Sequence, residues 1–139
     1  MIVYFARSIR GRHSKADNFY PLICDYILQA GHILAMSLPV PVGIKSISNT
    51  DDFIFKRDTY WIDQSNCMIA DISNPSYGVG FEVGYGVYQK KIPIICTAFK
   101  GSDISAMANG YFYINYYDSQ ETLKNVISSS LQNISLGYL

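Results

Sequence analysis

Residues 66–88 read NCMIADISNPSYGVGFEVGYGVY, which predicts a strand, a loop and a helix in succession. The apolar run ends in Asp71, a typical strand-end acid, and a turn-forming stretch rich in serine, asparagine, proline and glycine follows it. Beyond the turn, Val79, Glu82 and Val83 share one helix face through their spacing of three and four residues. This pattern places Glu82 on the buried side of the helix, about one turn from its start.

A carboxylate on a buried helix face needs a reason, because burying an unpaired charge is costly. One explanation is a structural acid whose hydrogen bonds are satisfied by its neighbours. The other is a reactive carboxylate in a functional site. From residues 66–88 alone, both explanations remain open for Glu82.

The composition is typical of one ordinary globular domain, which we expect to span residues 1–139, with 49% hydrophobic residues. The formal net charge is zero, and no basic run is present, which argues against binding nucleic acid or a membrane surface. No apolar stretch approaches the length of a membrane span, and the first apolar run is too short for a signal peptide. A small-molecule ligand or a protein partner is therefore expected.

The cysteines and histidines give no sign of a metal site. Cys24, Cys67 and Cys96 lie among apolar neighbours without the short spacing of a zinc or redox motif, which predicts free thiols in a reducing, cytoplasmic compartment. His13 and His32 have no partner at a metal-ligand spacing. We therefore expect no metal and no other cofactor.

The rest of the chain alternates strands with helices. Strands are predicted at 2–6, 32–38, 67–71, 92–97 and 111–116, and helices at 15–30, 50–65, 79–89 and 119–132. A long loop is predicted to follow the second strand, and a connection with a short helical turn is predicted at 99–110. The alternation predicts a single-domain, doubly wound α/β fold with a five-stranded parallel sheet and helices on both faces. In flavodoxin-like order, the loops after strands one and three lie where the strand order reverses.

Those two loops carry groups that suit a phosphate. The loop after strand one offers Ser8, Arg10 and the Gly11 backbone, and the loop after strand three offers Ser76 and Gly78 at a helix start. Hydroxyls, an arginine fork and helix-terminal N–H groups are the parts of a phosphate-binding site. No Walker or Rossmann glycine motif is present, so ordinary turn residues with a solvated arginine remain the alternative.

Asp58 is a second candidate acid. Its position on the predicted helix places it near the face of Phe55 and Ile62 rather than on the outward face. The alternative is a surface acid that pairs with Lys56 or Arg57.

Four blocks of this sequence resemble the 2′-deoxynucleoside 5′-phosphate N-hydrolase family, within the nucleoside 2-deoxyribosyltransferase superfamily. The blocks are YFARSIRG at 4–11, Asp58 three residues before Trp61, NPSYGVGFEVG at 74–84 and SAM at 105–107. They span most of the chain in the family's order. The most specific parts are Ser-Ile-Arg-Gly and Pro-Ser-x-Gly-Val-Gly-(aromatic)-Glu-x-Gly.

The resemblance implies a role for each matched residue. Glu82 would be the nucleophilic or charge-stabilising carboxylate at the sugar C1′, Tyr4 would position it, and Asp58 would contact the sugar or base and supply a proton. Ser105 would reach the phosphate of the neighbouring subunit in a homodimer. The phosphate-binding residues implied in the same way are Ser8, Ile9, Arg10, Gly11, Ser76 and Gly78. Arg7 departs from the family, whose members commonly have glycine there, and adds a charge beside the phosphate loop or reaches the base.

The implied activity is hydrolysis of the N-glycosidic bond of a (2′-deoxy)nucleoside 5′-monophosphate to free base and sugar 5-phosphate. A nucleoside 2-deoxyribosyltransferase, which would use the same Glu82 to exchange bases, is the first alternative. The phosphate-binding residues favour the hydrolase, because a transferase for unphosphorylated nucleosides has no need of them. A non-catalytic nucleotide-binding module is the second alternative, and the joint presence of Tyr4, Asp58 and Glu82 argues against it.

Overall fold

The computed structural model of the protein describes residues 1–10 and 14–138. Its strands form one parallel sheet in the order β2-β1-β3-β4-β5. The strands are β1 (Ile2–Ala6), β2 (Ile33–Leu34), β3 (Cys67–Asp71), β4 (Ile94–Phe99) and β5 (Ile114–Tyr117). This confirms the predicted flavodoxin-like sheet. Its strand order reverses between β1 and β3, which places a crevice beyond the carboxyl ends of those strands.

Helices cover both faces of the sheet, as predicted. They are α1 (Tyr20–Gln29), α2 (Val42–Lys45), α3 (Thr50–Gln64), α4 (Tyr77–Gly84), α5 (Ala106–Tyr111) and α6 (Gln120–Ser135). One buried cluster joins α1 and α6 to the sheet through Ile23, Ile27 and Leu123. The opposite cluster joins α3 and α4 to the sheet through Ile62 and Val79. None of the helices in the described ranges combines the length and apolarity that crossing a membrane requires.

The central strand β3 is buried at every position, and it ends in a buried acid. Asp71 accepts hydrogen bonds from the Ser73 backbone N–H at 3.1 Å, the Thr97 hydroxyl at 3.0 Å and the Tyr117 hydroxyl at 2.9 Å. These bonds connect the carboxyl ends of β3, β4 and β5. Asp71 is therefore the structural, loop-capping acid that its position at the strand end predicts.

Three predicted strands have different bounds in the structure. The second strand does not extend over 32–38, because the chain turns after Leu34 and the Ser37 hydroxyl donates to the Leu34 carbonyl at 2.7 Å. Strand β4 starts at Ile94 rather than 92, since Pro93 has no N–H for the ladder. The predicted start of the fifth strand belongs to α5, so β5 begins only at Ile114.

The helix boundaries also differ from prediction. A short 3₁₀ turn at Lys15–Phe19 precedes α1, so Pro21 lies in the first turn of the helix, where its missing N–H costs nothing. The predicted long loop contains the short helix α2. Helix α4 begins at Tyr77, two residues before its predicted start, and continues into a π-helical segment at Tyr85–Lys90.

Candidate active site

Tyr4 and Glu82 meet on the face of the sheet that α3 and α4 cover. The Tyr4 hydroxyl donates to Glu82 Oε1 at 2.9 Å. The Ser76 side chain fixes the start of α4 by accepting from the Val79 backbone N–H at 3.3 Å, which places Glu82 in the second turn. The structure therefore brings together the two residues at 4 and 82 that the sequence singled out.

A cavity of about 600 Å³ opens beside this pair, a size that suits a nucleotide. Helix α3, helix α4 and the loop after β1 provide its walls. The sequence-predicted site residues that line it are Ile9, Arg10, Asp58, Ser76, Gly78 and Glu82. Residues from three separate stretches of the chain thus share one cavity beyond the carboxyl ends of β1 and β3.

Two predicted phosphate-binding residues, Ser8 and Ser105, do not line this cavity. The Ser8 hydroxyl donates to the Arg10 carbonyl at 2.9 Å, so in this structure it shapes the loop instead. Gly11 lies outside the described residues. Ser105 lines a neighbouring cavity of about 750 Å³, which shares Ser76 with the first one.

Asp58 faces the cavity and also forms an ion pair. Arg57 Nε donates to Asp58 Oδ1 at 2.8 Å. The Arg57 guanidinium lies over the Trp61 ring at 4.9 Å from the ring centroid and over the Phe53 ring at 5.5 Å. Asp58 therefore fits both explanations, because it forms the predicted ion pair with Arg57 and also lines the cavity as a candidate functional acid. The sequence contains a signal for the stacking of Arg57, because aromatic residues stand four positions before and after it.

Burial sets the protonation of Glu82. Desolvation raises the pKa of Glu82 from its ordinary 4.5 to about 7, while the hydrogen bond from Tyr4 opposes that rise. The nearby Asp58 charge raises the Glu82 pKa further, and Arg57 lowers it. Burial also raises the pKa of Tyr4, which keeps its hydroxyl protonated as a donor. Glu82 is therefore divided between its acid and its carboxylate near neutral pH, a property common among functional carboxyls.

The raised Glu82 pKa predicts a dependence of stability on pH. Between pH 4.5 and 7 the folded protein still holds the Glu82 proton, whereas the unfolded chain has released it. The free energy of unfolding therefore falls as the pH rises through that range, because ionised Glu82 is less favourable in the fold than in water. Glu82→Gln should therefore raise the free energy of unfolding at pH 8 by about 1 to 3 kcal/mol. At pH 4 the gain should vanish. Urea unfolding at both pH values measures it, and an equal effect at pH 4 and pH 8 would contradict the assignment.

Two phenylalanines stand in the cavity wall near the acids. Phe55 on α3 and Phe81 on α4 form an edge-to-face pair with ring centroids 5.9 Å apart, and both remain substantially exposed. Exposed aromatic faces suit stacking against a flat heterocycle. Sequence reasoning did not select this pair, although Phe81 occupies the aromatic position directly before Glu82 in the α4 motif.

Comparison with known proteins gives consistent sequence matches. The family model described as nucleoside 2-deoxyribosyltransferase matches residues 3–125. A protein of Methanococcoides burtonii, named as a candidate 2′-deoxynucleoside 5′-phosphate N-hydrolase, is 36% identical over 81% of this chain and 93% of its own. The 5-hydroxymethyl-dUMP N-hydrolase of Tetraodon nigroviridis is 34% identical over 79% of this chain and 80% of its own.

A solved structure shares the fold at low sequence identity. The CMP N-glycosidase BcmB of Clostridium botulinum superposes with a TM-score of 0.64 at 14% identity, covering 90% of this chain and 96% of that one. At this identity the match supports the architecture of the sheet and helices.

Proposed function

The chain belongs to the nucleoside 2-deoxyribosyltransferase family, and from that premise we propose that it hydrolyses the N-glycosidic bond of (2′-deoxy)nucleoside 5′-monophosphates. The products are the free nucleobase and the (deoxy)ribose 5-phosphate. The observation that carries the proposal is the Glu82 carboxyl, held by Tyr4 at 2.9 Å in a nucleotide-sized cavity that Asp58 and Arg10 also line. The names of the curated relatives support the same reaction.

The chemistry follows from how this bond breaks. When the bond between C1′ and the base nitrogen breaks, its electron pair stays with the base. The sugar then gains oxocarbenium character. We assign Glu82 to C1′, where its carboxylate stabilises that charge or captures the carbon until water completes hydrolysis. Asp58 contacts the departing base or sugar, and in its protonated form it delivers a proton to the base nitrogen. The water that completes hydrolysis gives its hydroxyl to C1′ and returns a proton to Asp58. A pKa of about 7 leaves a usable fraction of Glu82 ionised at neutral pH.

The phosphate-binding end of the cavity supplies orientation. The Ser76 hydroxyl and the backbone around Gly78 lie at the start of α4, where helix N–H groups attract an anion. Arg10, in the loop after β1, lines the same cavity. On the family resemblance we add Gly11 and Ser8, whose hydroxyl would have to exchange the Arg10 carbonyl for the phosphate. The phosphate lies away from the reacting carbon C1′, and binding it orients the sugar over the carboxylate. This orientation raises the rate of bond cleavage in the enzyme–substrate complex.

Arg10→Ala should raise the KM for nucleoside 5′-monophosphates by about 10- to 100-fold, because a charge-assisted bond to the phosphate is lost. The effect on kcat should be smaller. Steady-state kinetics of base release measure both constants, with Lys124→Ala on α6 as the matched control for lost positive charge. An unchanged KM would contradict the placement of the phosphate.

One assay separates hydrolase, transferase and binding module. The protein is incubated with nucleosides and with their 5′-monophosphates, each with and without an acceptor base, and free base is followed. Release from monophosphates without acceptor supports the hydrolase. Exchange that requires an acceptor would instead support the transferase, and binding without turnover would support the module.

A homodimer is part of the proposal. The neighbouring 750 Å³ groove is mostly apolar, and Met107 and Tyr111 beside Ser105 are 85% and 61% exposed. A second copy that covers these side chains would remove apolar surface from water. Because Ser76 lines both cavities, a partner in the groove would lie next to the phosphate end. That placement suits the role of Ser105 across the interface.

Met107→Asp should convert the dimer to a monomer, because a carboxylate buried in an apolar interface has no partner. Light scattering measures the mass, and steady-state kinetics should show a raised KM for monophosphates when Ser105 is no longer supplied. Leu136→Asp, which places the same charge at an exposed apolar position after α6, is the control. A Met107→Asp protein that stays dimeric would contradict this interface.

The cellular setting and extent of the domain complete the proposal. Cys24, Cys67 and Cys96 are free thiols, which suits a reducing compartment, and we place the enzyme in the cytoplasm. We treat residues 1–139 as one N-glycosidase domain.

A further inference from the structure

Arg7 stands at the point where β1 ends, and its guanidinium lies over the Tyr20 ring at 5.4 Å from the centroid. Arg7 is half-buried, whereas Tyr20 is buried and held in the core by α1. In a stacked guanidinium the planar face contacts the aromatic ring. Its N–H groups point outward in the plane and remain available as hydrogen-bond donors. The contact thus orients a cation without using its hydrogen-bond donors.

Among the other charged side chains of the cavity that Arg7 lines, one arginine is already paired with a carboxylate. Arg57 is bonded to Asp58 at 2.8 Å. Arg7, by contrast, takes part in no ion pair with another residue in the ranges that the structure describes. A partly buried arginine that faces a cavity without a carboxylate partner is suited to an anion from solution.

The neighbours of Arg7 locate it at the phosphate-binding end. The Tyr20 hydroxyl accepts from Asn74 Nδ2 at 2.9 Å, and Asn74 lies two residues before Ser76 on the same loop. The platform under Arg7 is thus tied to the loop that begins α4.

The Arg7 charge also acts on the ring beneath it. Burial raises the pKa of Tyr20, and the Arg7 charge opposes that rise. The cation that lowers the pKa of Glu82 is Arg57 instead. The Arg7 charge thus acts on Tyr20, the ring that its guanidinium covers at 5.4 Å.

We propose that Arg7 and Arg10 form a two-arginine clamp for the dianionic phosphate monoester of the substrate. This inference rests on the proposed function and adds a residue at which the family resemblance implies glycine. Two guanidinium groups match the two charges of a phosphate monoester, and each can donate a pair of hydrogen bonds to its oxygens. Because the clamp contacts only the phosphate, it binds both the nucleotide substrate and the sugar 5-phosphate product.

The test uses ligands without a nucleobase. Calorimetry measures the affinity of the full-length protein for ribose 5-phosphate and inorganic phosphate, and kinetics measure KM and kcat for a nucleoside 5′-monophosphate. Arg7→Ala should weaken ribose 5-phosphate binding and raise KM by about 10- to 100-fold, with a smaller change in kcat. Arg7→Lys, which keeps the charge but loses the planar fork, should recover only part of the affinity.

Controls separate charge, stacking and folding. Tyr20→Phe keeps the ring beneath Arg7 and should retain most of the phosphate affinity, and Lys124→Ala should retain all of it. Circular dichroism and thermal unfolding of Arg7→Ala verify that the variant folds. Unchanged affinity of folded Arg7→Ala for both ribose 5-phosphate and inorganic phosphate would overturn the clamp.

Two further outcomes have definite meanings. If Arg7→Ala affects nucleotides and unphosphorylated nucleosides equally but leaves ribose 5-phosphate binding intact, Arg7 contacts the base and the clamp is wrong. If the wild type hydrolyses no nucleotide while ribose 5-phosphate binding still depends on Arg7, the clamp stands and the proposed hydrolase activity fails.

Discussion

Glu82→Gln should lower kcat for base release from a nucleoside 5′-monophosphate by at least about 10³-fold. The amide keeps the size of the side chain and still accepts the hydrogen bond from Tyr4, which spans 2.9 Å in the wild type. It cannot carry the negative charge that the oxocarbenium-like sugar requires, nor can it capture C1′. Single-turnover measurements of free base report the chemical step.

The loss should fall on chemistry and not on binding. Calorimetry should show that Glu82→Gln binds ribose 5-phosphate within about threefold of the wild type, because the phosphate end of the cavity is unchanged. Glu121→Gln, in the exposed first turn of α6, is the matched control, since it removes the other glutamate of the chain. If Glu82→Gln turned over at the wild-type rate, Glu82 would take no part in the chemical step.

Asp58→Asn should lower kcat by about 10²- to 10⁴-fold, the usual contribution of a general acid. The amide keeps the size of the side chain but cannot transfer a proton to the departing base. The loss should shrink for a substrate whose leaving group departs without protonation. Base-release kinetics with both kinds of leaving group measure this difference.

Asp63→Asn provides the comparison for Asp58. Asp63 lies on the same helix, and its side chain accepts from the Tyr85 hydroxyl at 3.1 Å. This variant should keep nearly the full kcat. If Asp58→Asn loses the same factor for both kinds of leaving group, Asp58 positions the substrate with Arg57 and is not the proton donor.

The sequence predicted the sheet well because its central strands are strongly patterned. A continuous apolar run at β3 and the alternation of strands with helices were sufficient for the parallel order. The edges were less predictable, since they depend on single residues. Pro93 delays β4, and the Ser37 hydroxyl stabilises the turn that ends β2 after two residues. Such local bonds compete with strand propensity and leave no periodic signal.

The residues of the candidate site that belong to sequence motifs could be predicted from the sequence. Helix spacing placed Glu82 inward, and the structure supplies the Tyr4 partner that its burial demands. The stacking of Arg7 on Tyr20 could not be foreseen, because it depends on how β1 packs against α1. The raised pKa of Glu82 likewise comes from burial, which only the assembled fold determines.

The most decisive measurement follows the products of one reaction. A nucleoside 5′-monophosphate is incubated with the protein in the absence of any acceptor base, and free base and sugar 5-phosphate are quantified by chromatography for the wild type and for Glu82→Gln. We predict equal amounts of the two products from the wild type and almost none from Glu82→Gln. Product formation that needs an acceptor base, or that persists in Glu82→Gln, would contradict hydrolysis through the Glu82 carboxylate.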